Sequence, residues 1–217
     1  KNRSQVFGYY DHNMMVMFEK TKDHIKNPTK FTPRQKLWYI RAKEVIISTG
    51  SIERPLVFGN NDRPGIILAS AAKEYMKIYG VLVGRKPIIF TNNDSAYDTA
   101  IEFKKNGINP LVVDVRNNSE SPVIREAKNL NINIKFSHGV VNTKGHLRIK
   151  SAIIGKLNSD KSDYESLENI LCDCICVSGN WTPTVHLSSQ SGNKLKFDEK
   201  TDVFVPNQSC QNETTIG

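Results

Sequence analysis

The chain has 217 residues, of which 38% are hydrophobic and 24% charged, with four cysteines and a formal net charge of +8. This composition suffices for one large domain or two small ones, and no apolar run approaches the roughly 18–20 residues that a membrane helix needs. Lysine and arginine are spread along the chain and not clustered with aromatic residues, so the charge indicates a lysine-rich surface and excludes a nucleic-acid interface.

The N-terminal part predicts an antiparallel meander. Residues 3–10 and 13–19 alternate in a way typical of two strands joined by a short turn at Asp11-His12, and residues 35–41 predict a third strand. The intervening residues 20–34 are rich in Lys, Thr and Pro, which indicates a loop.

The middle of the chain predicts an inserted βαβ module. After a turn cluster at residues 60–65, helical spacing predicts a helix over residues 66–79 that Gly80 ends. The segments predicted after it are, in order, strand 87–91, helix 95–106, strand 110–115, helix 121–130, parallel strand 132–136, hairpin strands over 138–157 and a polar loop over 158–168.

Two buried strands are predicted to end on glycine around this module. Residues 45–47 lead into Ser48-Thr49-Gly50, and a strand over residues 170–177 leads into Ser178-Gly179. Such paired endings suggest an α/β, two-domain FAD/NAD(P)-binding reductase-like architecture, in which ligands lie beyond the carboxyl ends of the strands. The expected domains are an incomplete first dinucleotide-binding domain made of residues 1–59 and 158–217, and a Rossmann-like NAD(P)-binding-type insertion over residues 60–157.

The inserted module has a poor phosphate loop. Where G-x-G-x-x-G is expected, the sequence reads Thr91-Asn92-Asn93-Asp94-Ser95-Ala96, which keeps only the last small residue. Asp94 would also place a carboxylate beside the pyrophosphate at a helix N-terminus. Asp114 lies where a ribose-binding acid belongs, but one acid does not restore the loop. We therefore expect a module kept for structure, with no nucleotide phosphate bound at this loop.

The cysteines favour core thiols over a metal site. Cys172, Cys174 and Cys176 alternate, so in one strand they would point to the same face, while Cys210 stands apart. Zinc sites usually need a wider gap between paired ligands and a second cluster. Reduced core thiols are typical of the cytoplasm, which is the compartment that we expect.

The sequence shows no complete active site. His12 beside Asp11 could be a polarised base or a simple turn histidine, and His186 could lie near a helix cap or in the core. No Ser/His/Asp triad, metal-spaced His/Cys set or P-loop is visible, so we assign no catalytic and no metal-binding residue. From the residues alone, both cofactor contact and ordinary packing remain open for Thr49-Gly50 and for residues 179–184.

Seven runs of sequence resemble a known family. They are residues 6–13, 47–58, 60–65, 91–94, 177–187, 189–192 and 194–199. In order, and over nearly the whole chain, they are similar to the alpha subunit of heterotetrameric sarcosine oxidase, while residues 117–170 are the least distinctive. Alpha subunits of other amine and amino-acid oxidising complexes share some of these elements.

The resemblance implies a complex that oxidises sarcosine to glycine, with oxygen giving hydrogen peroxide and the one-carbon unit passing to tetrahydrofolate. It also implies beta, gamma and delta partner subunits, with FAD on the beta subunit and FMN near the alpha–beta interface. The alpha subunit itself is implied to bind NAD⁺ and to carry a C-terminal folate domain. The positions implied to line the NAD⁺ site are Val6, Thr49, Gly50, Gly179 and Thr184, with the two threonine hydroxyls free to bond ribose or phosphate oxygens.

The sequence departs from the family in two respects, since it has neither the N-terminal strand with G-x-G-x-x-G nor the folate domain. It also lacks an initiator methionine. We therefore expect an internal fragment, inactive alone, that supplies NAD-binding and subunit-packing surface. The alternatives are a subunit of a related amine-oxidising complex, a purely structural interaction module, and a self-contained nicotinamide-dependent reductase. The altered loop and the absence of a CxxC dithiol argue against the last.

Overall fold

A computed structural model describes residues 2–160 and 162–216, which form two compact units. The inserted unit is Glu53–Trp181, and the split unit combines Lys1–Ile52 with Thr182–Gly217. The strands are β1 (Ser4–Tyr10), β2 (Met14–Lys20), β3 (Gln35–Arg41), β4 (Val45–Ile47), β5 (Ser51–Glu53), β6 (Ile66–Leu68), β7 (Pro87–Thr91), β8 (Leu111–Asp114), β9 (Asn133–Phe136), β10 (His138–Gly145), β11 (Ile149–Leu157), β12 (Tyr164–Leu171), β13 (Cys174–Ser178), β14 (Trp181–Pro183), β15 (Lys194–Asp198), β16 (Val203–Gln208) and β17 (Glu213–Thr215). The helices are α1 (Ala69–Tyr79), α2 (Ser95–Lys105), α3 (Pro122–Asn129) and α4 (His186–Gln190).

The inserted unit is built on a five-stranded parallel sheet in the order β6-β13-β7-β8-β9. β7 and β13 are buried along their whole length, as central parallel strands covered on both faces should be. Because side chains alternate along a strand, Ile89 and Cys176 pack with the three helices α1–α3, while Ile88 and Val177 pack with the antiparallel meander β10–β12.

The two ends of the inserted unit meet. The Arg54 N–H donates to the carbonyl of Asn180 at 2.8 Å, and the Gly179 N–H donates to the carbonyl of Arg54 at 2.6 Å. Helix α1 ends at Gly80, whose φ of 63° is the left-handed conformation that glycine adopts at little cost.

The split unit contains the antiparallel sheet β1-β2-β3, the hairpin β15-β16 and a parallel pair, β4 with β17. Its buried core consists of Tyr9, Val45 and Ile47, with Met15 and Leu187 packed against them. The β1–β2 turn contains two consecutive residues with positive φ, His12 and Asn13, which suits the twist of a tight hairpin.

Most predicted elements are confirmed, but three boundaries are wrong. Residues 66–68 form β6 and not the first turn of a helix, because this apolar run, which begins with the β-branched Ile66 and Ile67, pairs with β13. A loop is predicted over residues 158–168, of which Lys161 lies outside the described residues. The prediction is wrong from Tyr164 onward, because strand β12 begins there.

The strand predicted over 170–177 is two strands. Its break falls at Asp173, whose carboxylate accepts the backbone N–H groups of Arg85 and Lys86 at 2.9 and 2.8 Å. We expected a strand that returns to the first domain, but β13 lies between β6 and β7 in the inserted unit. The break also separates the cysteines, because Cys172 packs with the meander while Cys174 and Cys176 face the helices.

Candidate functional site

Val6 and Thr49 line the same cavity in the split unit, with a volume of about 300 Å³. Most of its wall is apolar, and Ser48 and Thr49 make its polar end. The lining residues are Val6, Tyr9, Met15, Val45, Ile46, Ile47, Ser48, Thr49 and Leu187. An apolar wall with a few polar groups at one end is typical of a site for a flat ring attached to a polar group.

Thr49, Gly50 and Thr184 meet at a smaller cavity of about 120 Å³ in the same unit. The Thr49 Oγ1 donates to the carbonyl of Thr184 at 2.6 Å, and the Thr184 N–H donates to the carbonyl of Gly50 at 2.9 Å. We expected the Thr49 hydroxyl to be free, but its proton is already donated to the Thr184 carbonyl. The hydroxyl oxygen can still accept a hydrogen bond from a ligand.

Gly50 has a φ of 63°, a conformation that residues with a Cβ rarely adopt. A Cβ added at this position would meet no atom within 4 Å. The need for glycine is therefore conformational, and the space beside it is open enough for a ligand to approach the backbone.

Gly179 lies in the inserted unit, at the end of β13, and so in a different unit from the other four predicted positions. A Cβ there would lie 2.8 Å from the carbonyl oxygen of Pro55. This close approach of two backbone segments accounts for glycine at position 179 without any ligand.

A buried polar cluster beside the larger cavity has no local signal in the sequence. The carboxylate of Glu213 accepts the hydroxyls of Ser188 and Ser191 at 3.2 and 2.9 Å, and also the side-chain amide of Asn193. These bonds hold α4 against β17 and so position Leu187 in the cavity wall. The cluster joins Glu213 to residues 20 to 25 positions earlier in the chain, which no sequence period reveals.

Tyr9 is neutral at physiological pH. Burial, together with the nearby Glu213 carboxylate, raises the pKa of Tyr9 to about 12. Its hydroxyl donates to the Asn13 Oδ1 at 2.8 Å, and the Asn13 side-chain amide donates to the Asn212 carbonyl at 3.1 Å. Asn13 therefore links the β1–β2 turn to the segment that precedes β17.

His12 and His186, the two histidines considered above, are both exposed. His12 lies in the hairpin turn with a φ of 59°, as the turn interpretation predicts, and lines a polar cavity with Asp11 and Cys210. His186 is exposed at the first position of α4, so it is not a core residue. Among residues 2–160 and 162–216, no group of three or more His, Cys, Asp or Glu side chains is placed to hold a metal ion.

The predicted phosphate loop joins β7 to α2 at the carboxyl edge of the parallel sheet. Asp114, at the end of β8, pairs in register with Thr91 and is completely buried. Its carboxylate accepts the Tyr97 hydroxyl at 2.7 Å and the Arg116 guanidinium. Asp114, which lies where a ribose-binding acid is expected, is therefore already bonded to Tyr97 and Arg116.

No protein-family model matches the chain. The chain is 34% identical to sarcosine oxidase subunit alpha of Corynebacterium sp. (strain P-1), over 99% of this chain and 22% of that protein. It is 35% identical to sarcosine oxidase subunit alpha of Rhizobium meliloti (strain 1021), over 94% of this chain and 20% of that protein. The predicted resemblance is thus confirmed, and the chain spans about a fifth of the length of these relatives.

Solved structures confirm the fold class. A Lactococcus lactis thioredoxin reductase matches with a TM-score of 0.64 at 13% identity, covering 99% of this chain and 65% of the reductase. The L-proline dehydrogenase from P. horikoshii matches with a TM-score of 0.62 at 20% identity, covering 99% of this chain and 35% of the dehydrogenase. The predicted two-domain reductase-like α/β fold is therefore confirmed. No helix within the described residues is both long and apolar enough to cross a membrane.

Proposed function

We propose that this chain is a segment of the alpha subunit of a cytoplasmic sarcosine oxidase complex, and that it contributes NAD-binding and subunit-packing surface. The observation that carries the proposal is its 34% identity, over nearly the whole chain, to a protein of that name. The proposed complex converts sarcosine, O₂ and tetrahydrofolate into glycine, H₂O₂ and methylene-tetrahydrofolate, as an oxidoreductase acting on CH–NH groups.

In this proposal the redox chemistry is carried by other parts of the complex. FAD belongs to the beta subunit, FMN lies near the alpha–beta interface, and tetrahydrofolate binds a C-terminal domain of alpha. Within the described residues, no group of three or more His, Cys, Asp or Glu side chains is placed to hold a metal ion. In the proposed division of roles, this segment supplies binding residues, and the catalytic residues lie in the other parts of the complex.

We place NAD⁺ against Val6, Thr49, Gly50 and Thr184 of the split unit. The apolar wall of the larger cavity suits a nucleotide ring, and the Thr49 oxygen can accept a hydrogen bond from a ribose hydroxyl. Neither the residues that line the larger cavity nor those that line the smaller one include a lysine or arginine. The fit is therefore good for a ring and ribose, while the pyrophosphate needs donors from outside this cavity.

The subunit-packing role is supported by an exposed aromatic face on the sheet β1-β2-β3. Side chains of residues paired across antiparallel strands lie on the same face, which places Leu37 beside Phe18 and Tyr39 beside Val16. The ring of Phe7 lies 6.1 Å from that of Phe18, between centroids. Leu37 is 53% exposed and Tyr39 is 69% exposed, so this apolar surface is open to a partner.

The charge around this face favours an acidic partner surface. Residues 2–44 contain nine lysines and arginines against four aspartates and glutamates. Lys20 and Arg41 end β2 and β3 respectively, at opposite ends of the aromatic face. We propose that the face packs against an apolar surface with acidic residues at its rim, on the beta, gamma or delta subunit.

The reaction is tested on the purified complex that contains this chain. Release of H₂O₂ is measured with sarcosine, proline and other secondary amines, with and without tetrahydrofolate. We expect sarcosine to be the preferred substrate and methylene-tetrahydrofolate to form. Oxidation of proline in preference to sarcosine would support the alternative of a related amino-acid oxidising complex, which the fold match to a proline dehydrogenase favours.

A further inference from the structure

The fold implies a second place for a dinucleotide, at the carboxyl edge of the parallel sheet in the inserted unit. In sheets of this kind, the helix that follows a central strand offers its N-terminal N–H groups to a phosphate. Here that helix is α2, and the loop at its start is residues 91–96. The question is whether the side chains around this loop fit a phosphate.

The N-terminus of α2 is already covered by side chains of the inserted unit. Asn93 Oδ1 accepts the Ser95 N–H at 3.0 Å, and Asn93 Nδ2 donates to the Ser178 hydroxyl at 3.0 Å. The Trp181 indole N–H donates to the Ser95 hydroxyl at 3.0 Å. A phosphate at this position would have to displace both Asn93 and Trp181.

The cation beside the loop is also paired. Arg116 Nη1 donates to Asp94 Oδ1 at 2.7 Å, while Nη2 donates to Asp114 Oδ2 at 2.7 Å and Nε to Asp114 Oδ1 at 3.0 Å. These bonds, above all those to Asp114, raise the pKa of Arg116. Arg116 is thus held between a buried carboxylate and a half-exposed one.

We propose that Asp94 takes the place of a ligand phosphate on Arg116, and that this residue makes the inserted unit reject nucleotide phosphates. A phosphate that approached Arg116 would meet the negative charge of Asp94. To reach the guanidinium it would have to replace a charge-assisted hydrogen bond and leave Asp94 without its partner. The fold's usual dinucleotide therefore does not fit this unit.

The proposal implies that removal of the Asp94 charge opens a phosphate site. Asp94→Asn and Asp94→Ala each take away the carboxylate while Asp114 still holds Arg116 in place. Asp94→Glu keeps a carboxylate within reach of Arg116 and should keep the site closed. Asp98→Asn is the matched control, because Asp98 is an exposed acid on the same helix that pairs with Lys73 and not with Arg116.

The experiment is calorimetric titration of the full-length subunit with inorganic phosphate and with adenosine 2′-phosphate, without NAD⁺, because NAD⁺ would compete for a site opened in the inserted unit. Asp94 and Arg116 both belong to the inserted unit, so a difference between the Asp94 variants and the wild type does not depend on whether the split unit binds NAD⁺ as proposed. We expect Asp94→Asn and Asp94→Ala to bind the probes at least about tenfold more tightly than the wild type, Asp94→Glu and Asp98→Asn.

Two results would overturn the proposal. One is a wild-type protein that binds the probes as tightly as the Asp94→Asn variant. The other is an unchanged, weak affinity in both Asp94→Asn and Asp94→Ala, with unfolding temperatures that show both variants to be folded. Because Asp94 is half-exposed, we expect both variants to fold.

Discussion

Thr49 and Thr184 are joined through side chain and backbone, since the Thr49 hydroxyl donates to the Thr184 carbonyl at 2.6 Å. The bond fixes the rotamer of Thr49 and leaves only the lone pairs of its oxygen for a ligand. Thr49 is thus both a positioning residue for the turn at Gly50 and a proposed contact for NAD⁺.

Replacement of Thr49 by valine should weaken NAD⁺ binding by about tenfold to a hundredfold, because one hydrogen bond to the ligand and the bond to Thr184 are both lost. Thr49→Ser keeps the hydroxyl and should bind almost as the wild type does. The measurement is NAD⁺ titration of the full-length subunit. Equal affinity in the wild type and Thr49→Val would place the site elsewhere.

Gly50 should tolerate alanine better than leucine. Both substitutions oppose a φ of 63°, at a cost of about 1–2 kcal/mol, but an alanine Cβ meets nothing within 4 Å. We therefore expect Gly50→Ala to lower mainly the unfolding free energy, and Gly50→Leu also to obstruct the ligand. Titration with NAD⁺ and urea unfolding of the same samples separate the two effects. A Gly50→Leu variant with wild-type affinity would contradict the proposed position of the ligand.

The high pKa of Tyr9 predicts a loss of stability in alkali. The pKa is raised to about 12 in the folded state from an ordinary value of 10, so folding favours the protonated phenol. The stabilisation is complete below pH 10 and is lost as the pH rises from 10 to 12. Urea unfolding between pH 8 and 11.5 should show a steeper alkaline decline for the wild type than for Tyr9→Phe. Parallel curves for the two proteins would refute this assignment.

The aromatic face predicts where a partner subunit packs. Leu37→Glu and Tyr39→Glu place charge on the exposed apolar surface and should reduce assembly of the purified complex by about tenfold or more. Phe31→Glu is the control, because Phe31 is 89% exposed in the loop between β2 and β3 and outside the face. Native mass spectrometry of the co-expressed subunits gives the readout. Full assembly with Tyr39→Glu, or retention of nucleic acid by this face, would argue against a subunit interface.

Local patterns in the sequence were enough to predict most helices and strands, but not to predict which strands pair with each other. Period-two alternation and the turn at Asp11-His12 correctly predict β1 and β2, and Gly80 correctly ends α1. The run at 66–68 is short and wholly apolar, so helix and strand are hard to separate by period. Only its pairing with β13, more than 100 residues later, decides for a strand.

The candidate site was predictable only in part, for the same reason. The turn at Thr49-Gly50 follows a buried strand, which the sequence shows directly. The contacts of Asp94 with Arg116 and of Glu213 with Ser191 join positions about 22 residues apart in loops and strand ends, where no period applies. They depend on which strands become neighbours in three dimensions.

The meeting of Arg54 and Asn180 has a consequence for biosynthesis. All strands of the parallel sheet in the inserted unit have been made once residue 178 leaves the ribosome, whereas β4 waits for β17, which begins at residue 213. A nascent chain stopped when residue 190 has emerged from the ribosome should therefore protect the inserted unit from proteolysis while Val45–Ile47 lacks its parallel partner strand. The order of synthesis thus allows the inserted unit to fold first. The split unit acquires its parallel pair only when its second segment has emerged.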